Sequence, residues 1–111
     1  MGHGIKASVT VTAAVEDGVA EIDLGTLRHT SFRAFLNVTT GTGETPTLNV
    51  DVQDTVDNTN YGTLVSFTEA TGEVQEFKTH ATPFGDKLRI SYAITGTTPV
   101  FTFTITIVAK D

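Results

Sequence analysis

The side chains best able to do chemistry fall into a few small groups, and none has a catalytic spacing. Asp51, Asp54 and Asp57, with Asn58 and Asn60, crowd hard oxygen donors into one polar stretch, as a Ca²⁺ site would need. The glycine and the distal bidentate glutamate of an EF-hand are missing, so the stretch reads as a solvated loop. His29 and His80 would suit metal ligation or proton transfer. Each sits among Thr and Ser in a polar connection, and nothing in their spacing brings them together. Ser31 and Ser66 lack the GxSxG context of an activated nucleophile. Asp23 and Glu76 are two carboxylates among 13 acidic residues, which does not mark a glycosidase pair. GTGETP carries no P-loop lysine. The expectation is therefore no enzyme, no cofactor and no metal.

The informative charges are arginines. Arg33 and Arg89 fall on the polar face of strand-like runs whose other polar-face residues are mostly neutral. They are expected to pair across the sheet with Asp51 or Glu76, or to meet an acidic partner. Arg28 sits in the connection before the first of these runs. Phe35 interrupts the polar face beside Arg33 and is a candidate contact with a loop or subunit. Thr102, Thr104 and Thr106 line the polar face of the last run. They should be wet in a monomer and at least partly covered in an assembly. Phe35, Arg33, Arg89, Thr102, Thr104 and Thr106 are thus the candidate interface.

The elements that must position them read as strands. Leu88, Ile90, Tyr92 and Ile94 alternate, as do Phe101, Phe103, Ile105 and Ile107, around Gly96-Thr97-Thr98-Pro99. This reads as a closing hairpin without a charged residue from Ile90 through Ala109. Left at an open edge it would recruit other chains. Ser8–Val15 and Val19–Leu24 read as a first hairpin around Glu16-Asp17-Gly18. Phe32–Thr39 and Thr47–Gln53 read as a middle hairpin around Thr40–Pro46. Thr63–Phe67 and Val74–Thr79 are shorter runs, the second charged and suited to an edge. No run has a helical apolar period.

About eight strands in about 100 residues, each with one apolar face, predict an all-β antiparallel two-sheet sandwich. A jelly-roll-like arrangement is expected, with an immunoglobulin-like sandwich as the alternative. Residues 1–7 are expected as a flexible arm and 8–111 as one domain.

Composition narrows the partners. The 111 residues contain 7 Lys+Arg against 13 Asp+Glu, a net charge of −6, with no cysteine and no tryptophan. So few cations are a poor match to a phosphate backbone, and no nucleic-acid partner is expected. Without cysteine, neither disulfides nor thiolate metal sites can stabilise the chain. No apolar run has transmembrane length, charges on the other strands argue against a lipid-facing band, and no membrane partner is expected. The N-terminus lacks the apolar run of a signal peptide.

The middle and last segments echo one another. Thr42-Gly43-Glu44-Thr45-Pro46 matches Thr95-Gly96-Thr97-Thr98-Pro99, and Arg33 aligns with Arg89. The simpler reading is one hairpin problem solved twice. The other is an old duplication, or two quasi-equivalent hairpins side by side in a sheet.

Two segments, Ser31 to Asp54 (SFRAFLNVTTGTGETPTLNVDVQD) and Phe84 to Asp111 (FGDKLRISYAITGTTPVFTFTITIVAKD), resemble small proteins encoded among the virion genes of tailed bacteriophages. The shared pattern is a strand, a T-G-x-[ST]-P element, an alternating strand and a late LR-[IV]-S-Y-x-[IV]-x-G run. The resemblance implies a capsid decoration, or cement, protein. Such a protein is a small sandwich or jelly roll, often a homotrimer, which clamps neighbouring major capsid subunits on the outer shell after synthesis in the host cytoplasm. A carbohydrate- or receptor-binding sandwich of a phage tail or fibre is the alternative. The lack of tryptophan and the few loop aromatics, Tyr61 and Phe84, count against it.

Overall fold

The computed structural model describes residues 4–13, 17–22, 31–55, 59–81 and 87–110. Among these there is no helix. Six strands follow one another: β1 (Gly4–Ala13), β2 (Asp17–Ile22), β3 (Ser31–Thr55), β4 (Gly62–Ser66), β5 (Val74–His80) and β6 (Lys87–Lys110). All pairings are antiparallel and belong to one hydrogen-bonded sheet. Residues 4–7, expected in a terminal arm, belong to β1 and pair with residues 107–110.

The architecture rests on β3 and β6. They are 25 and 24 residues long and pair with each other along nearly their whole length, from Ser31↔Lys110 to Thr55↔Lys87. This overturns the middle and closing hairpins. The arms around Gly96–Pro99 do not pair with each other. Residues 101–110 lie between β1 and the first half of β3, while residues 87–95 lie between β2 and the second half of β3. The first hairpin fails likewise: β1 and β2 each pair with β6 rather than with one another. β5 flanks the first half of β3, and β4 flanks the second. Six strands thus replace the expected eight, because two of them run through positions expected to be turns.

The two T-G-x-T-P elements explain how a strand can pass through such a position. They sit opposite each other, with Glu44 paired to Thr97 and the register shifting on either side. Gly43 (φ 114°) and Gly96 (φ 129°) take the positive φ that only glycine adopts without strain, and Thr45 (φ 45°) and Thr98 (φ 46°) are left-handed. A positive φ reverses the local twist and kinks the strand. Here both strands kink together and stay paired. The contacts are reciprocal: a Cβ on Gly43 would lie 2.8 Å from the Cα of Pro99, and one on Gly96 would lie 2.9 Å from the Cα of Pro46. The sequence echo is therefore a local two-fold between β3 and β6, in strands rather than hairpins.

At the kinks the sheet folds over. A straight 25-residue strand would run about 80 Å, yet the longest dimension is 47 Å. Tyr92 and Phe103, which a straight strand would hold about 35 Å apart, meet edge-to-face with ring centroids 5.5 Å apart. The apolar faces of the two halves thereby cover each other, and no helix is needed. Phe32, Ala34, Leu36 and Val38 join Leu48, Val50 and Val52 in one core. Leu88, Ile90 and Ile94, with Phe101, Phe103, Ile105 and Ile107, complete it. These are the apolar faces expected from period-two alternation.

The segment after β4 returns to β3. Phe67 donates its N–H to the Val50 carbonyl, and Ala70 exchanges two backbone hydrogen bonds with Leu48. Glu76 of β5 ties that segment down by accepting from the N–H (2.7 Å) and Oγ1 (2.8 Å) of Thr68.

Candidate functional site

With their apolar residues committed to the core, the strands present their alternate residues outward, on two faces of different chemistry. The first is built from β1, residues 101–110 of β6, residues 31–42 of β3, and β5. Register places Val108, Arg33 and Thr79 in one row, and Thr106, Phe35 and Phe77 in the next. Phe35 and Phe77 stack with centroids 4.5 Å apart, and the Arg33 guanidinium carbon stands 4.2 Å over the Phe77 ring. This is cation–π distance. Phe77 remains 53% exposed despite both contacts. These six residues line an open groove of about 510 Å³, within the size range of a small-ligand or anchor-residue site.

Beside the groove runs a hydroxyl ladder. Ser8 pairs with Thr106 (3.1 Å), Thr10 with Thr104 (3.0 Å) and Thr12 with Thr102 (3.1 Å). Directly opposed residues on antiparallel strands bring these side chains together. Thr102, Thr104 and Thr106 are half-buried by their neighbours rather than fully wet.

Among the described residues no carboxylate faces outward on this side. The one acidic residue within the four strand segments is Glu76. It pairs in register with buried Leu36, and therefore sits on the inner face at the edge, 3.9 Å from Lys78. Arg33 accordingly has no carboxylate within ion-pair distance among the described residues, contrary to the expected pairing with Asp51 or Glu76. Its partner is an aromatic ring.

Arg89 departs from expectation in the same way. Its Nε donates to the Gln53 side-chain oxygen at 2.7 Å, and its guanidinium lies 3.5 Å from the centre of the Tyr61 ring. Arg89 belongs to the second outer face, made by β2, residues 87–95 of β6, residues 47–55 of β3, and β4. Glu21 stands opposite Arg89, and Asp51 stands opposite Ser91 and Ser66. Asn49 donates to Glu69 at 3.1 Å. The six candidate interface residues are thus not one patch. Arg33, Phe35, Thr102, Thr104 and Thr106 share the first face, and Arg89 lies on the second.

Phe77 is the residue that sequence reasoning missed. Its run was legible as a charged edge strand, with Phe77 in phase with Gln75 and Thr79. That it stands opposite Phe35 depends on β3–β5 pairing, which no local signal specifies.

Among the described residues the catalytic and metal candidates do not converge. Ser31 and Ser66 lie on strands in different halves of the fold. His80 stacks on Phe32 with centroids 5.3 Å apart. Asp23, Arg28, His29, Asp57, Asn58 and Phe84 fall outside the described residues. Among the described residues no three His, Cys, Asp or Glu side chains cluster as a metal site, and no helix is long and apolar enough to cross a membrane.

No protein-family model matches the chain, and no curated protein does so by sequence. Its likeness is to solved structures. PirA superposes with a TM-score of 0.61 at 16% identity, over 88% of this chain and 90% of PirA. A protein of Bacillus endospore appendages, a family of disulfide-linked pili, superposes at 0.55 and 11% identity, over 98% of this chain and 89% of that one. A CBM4 structure reaches only 0.45 at 15% identity, over 90% and 78%. At such identities the first two bear on architecture alone. With the core described above, they support an all-β antiparallel β-sandwich.

Proposed function

We propose that this chain is a non-enzymatic structural protein that decorates and stabilises a tailed-phage capsid, clamping neighbouring major capsid subunits from the outer surface, as a homotrimer. The observation that carries the reading is the first outer face. A continuous four-strand surface of hydroxyls, Phe35, Phe77 and Arg33, with no carboxylate at its described outward positions, has the composition of an interface centre rather than of a solvated face. On a chain with net charge −6, such a face would be an unusual place to spare charge if it met only water. Assembly also adds stability to a small domain without cysteines.

The pairing order supports a jelly-roll version of the sandwich. When each half of β3 and β6 counts as a strand, the segments lie in the orders 1-8-3-6 and 2-7-4-5. Each pairs with the one equally far from the middle of the chain, as in a long hairpin rolled up on itself.

Binding of a sugar or receptor is the second reading, and the Phe35–Phe77 groove is what favours it. The two readings separate in one experiment. Purified protein is incubated with the phage's undecorated shells and, in parallel, applied to a glycan array. Stoichiometric shell binding at three-fold positions is the expected result. A specific glycan signal without shell binding, or absence of the protein from purified particles by mass spectrometry, would overturn the capsid reading.

A further inference from the structure

We propose that the Arg33–Phe77 groove docks a second copy of this chain, in a head-to-tail contact that presents a carboxylate-bearing surface of one copy to the carboxylate-free face of the next. This deepens the assembly reading above and rests on it.

The argument begins with charge. Among the described residues, no acidic side chain occupies an outward position of β1, β5 or the adjoining halves of β3 and β6. Arg33 projects from that face with only an aromatic ring beneath it. Two copies meeting face to face through the same patch would set arginine against arginine, with no carboxylate to compensate. A self-complementary two-fold contact is therefore disfavoured, whereas a surface of the same chain that carries carboxylates is electrostatically complementary. The second outer face has the required chemistry: Glu21 and Asp51 point outward there, Glu69 stands beside them, and Val19 is 55% exposed.

The second step is anchoring. Binding energy concentrates in aromatic and arginine side chains at the middle of a contact, ringed by polar groups that exclude water. Phe77, Phe35 and Arg33 form such a centre, with Thr79, Thr106 and Val108 around it. Val108 is itself 38% exposed and extends the apolar area onto β6. A contact between unlike surfaces generates a ring when the rotation closes and a filament when it does not. The trimer proposed above is a closed case.

Sedimentation velocity of the full chain, from micromolar to millimolar and at low and high salt, tests this. The wild type should associate, more weakly at high salt. Arg33→Glu and Phe77→Ser both alter exposed side chains and should fold normally by circular dichroism. Each should weaken association by about tenfold or more. Arg33→Glu copies added to wild type should cap its assemblies, since they lack the docking face but keep the surface that enters it. One of Glu21→Arg, Asp51→Arg or Glu69→Arg should restore binding to Arg33→Glu.

A wild type that stays monomeric throughout would overturn the proposal. So would association indifferent to both variants, or assemblies that excess Arg33→Glu leaves unchanged. Resonances at Arg33 and Phe77 that move with uronic-acid oligosaccharides, in a protein that never self-associates, would assign the groove to a sugar acid instead. The two readings fail separately: shell binding as a monomer defeats this proposal and the trimer but leaves capsid decoration standing, and self-association without shell binding defeats the capsid reading alone.

Discussion

Gly43 and Pro99 meet across the β3–β6 pair so closely that a Cβ on Gly43 would stand 2.8 Å from the Pro99 Cα and 2.9 Å from the carbonyl oxygens of Thr97 and Thr98. The local two-fold repeats the contact between Gly96 and Pro46. These two contacts are where the sheet folds, and everything else in the molecule hangs on them.

Gly43→Ala and Gly96→Ala should therefore each destabilise the domain by about 2 kcal/mol or more. Each forces an L-residue to a φ of 114° or 129° and drives a methyl group into backbone that cannot yield. The two losses should be similar in size. Because they strain one shared crossing, the double variant should not be additive. Urea unfolding of the three proteins measures this.

Phe103 and Ile105 have no exposed surface. Replacing either by Asp buries an unpaired charge and should leave no folded protein. Phe103→Ala should cost about 3–5 kcal/mol and Ile105→Val about 0.5–1.5 kcal/mol. If either Asp variant kept its β-sheet circular dichroism and lost only assembly, the position would be interface rather than core.

The two arginines should separate by environment. Arg89 is partly buried, donates to Gln53 at 2.7 Å and stacks on Tyr61. Arg33 is exposed and stacks on Phe77 alone. Arg89→Ala should therefore cost more stability, about 1–3 kcal/mol, and Arg33→Ala less than about 1 kcal/mol. Thermal unfolding checks the order, and an equal or reversed ranking would contradict it.

The hydroxyl ladder contributes register more than energy. Thr104→Val removes the bond to Thr10 and keeps the β-branched shape, so stability should change by less than about 1 kcal/mol. Strand pairing should be unchanged, as read from amide exchange. The same substitution at Thr102, opposite Thr12, should behave alike.

Much was legible in the residues themselves. Period-two alternation identified the buried faces of the long strands, Phe32 to Val38, Leu48 to Val52, Leu88 to Ile94 and Phe101 to Ile107, because successive side chains must point to opposite sides of a strand. It also placed Arg33, Phe35 and the three threonines outward. The resemblance between the two T-G-x-T-P segments was visible as well.

What those segments do was not. Glycine at positive φ and a following proline describe a local backbone path, and the same path closes a hairpin when its own arms pair or kinks a continuous strand when another strand follows it. Which occurs depends on whether residues 31–42 pair with 47–55 or with 101–110, and that choice is made by burial and hydrogen bonding between distant parts of the chain. The Arg33–Phe77 contact depends on the same choice. The sequence alone determined an all-β chain with known inner and outer faces. Only the tertiary structure decided that β3 and β6 cross as one kinked pair, because register between remote strands is a property of the packed sheet and not of any stretch within it.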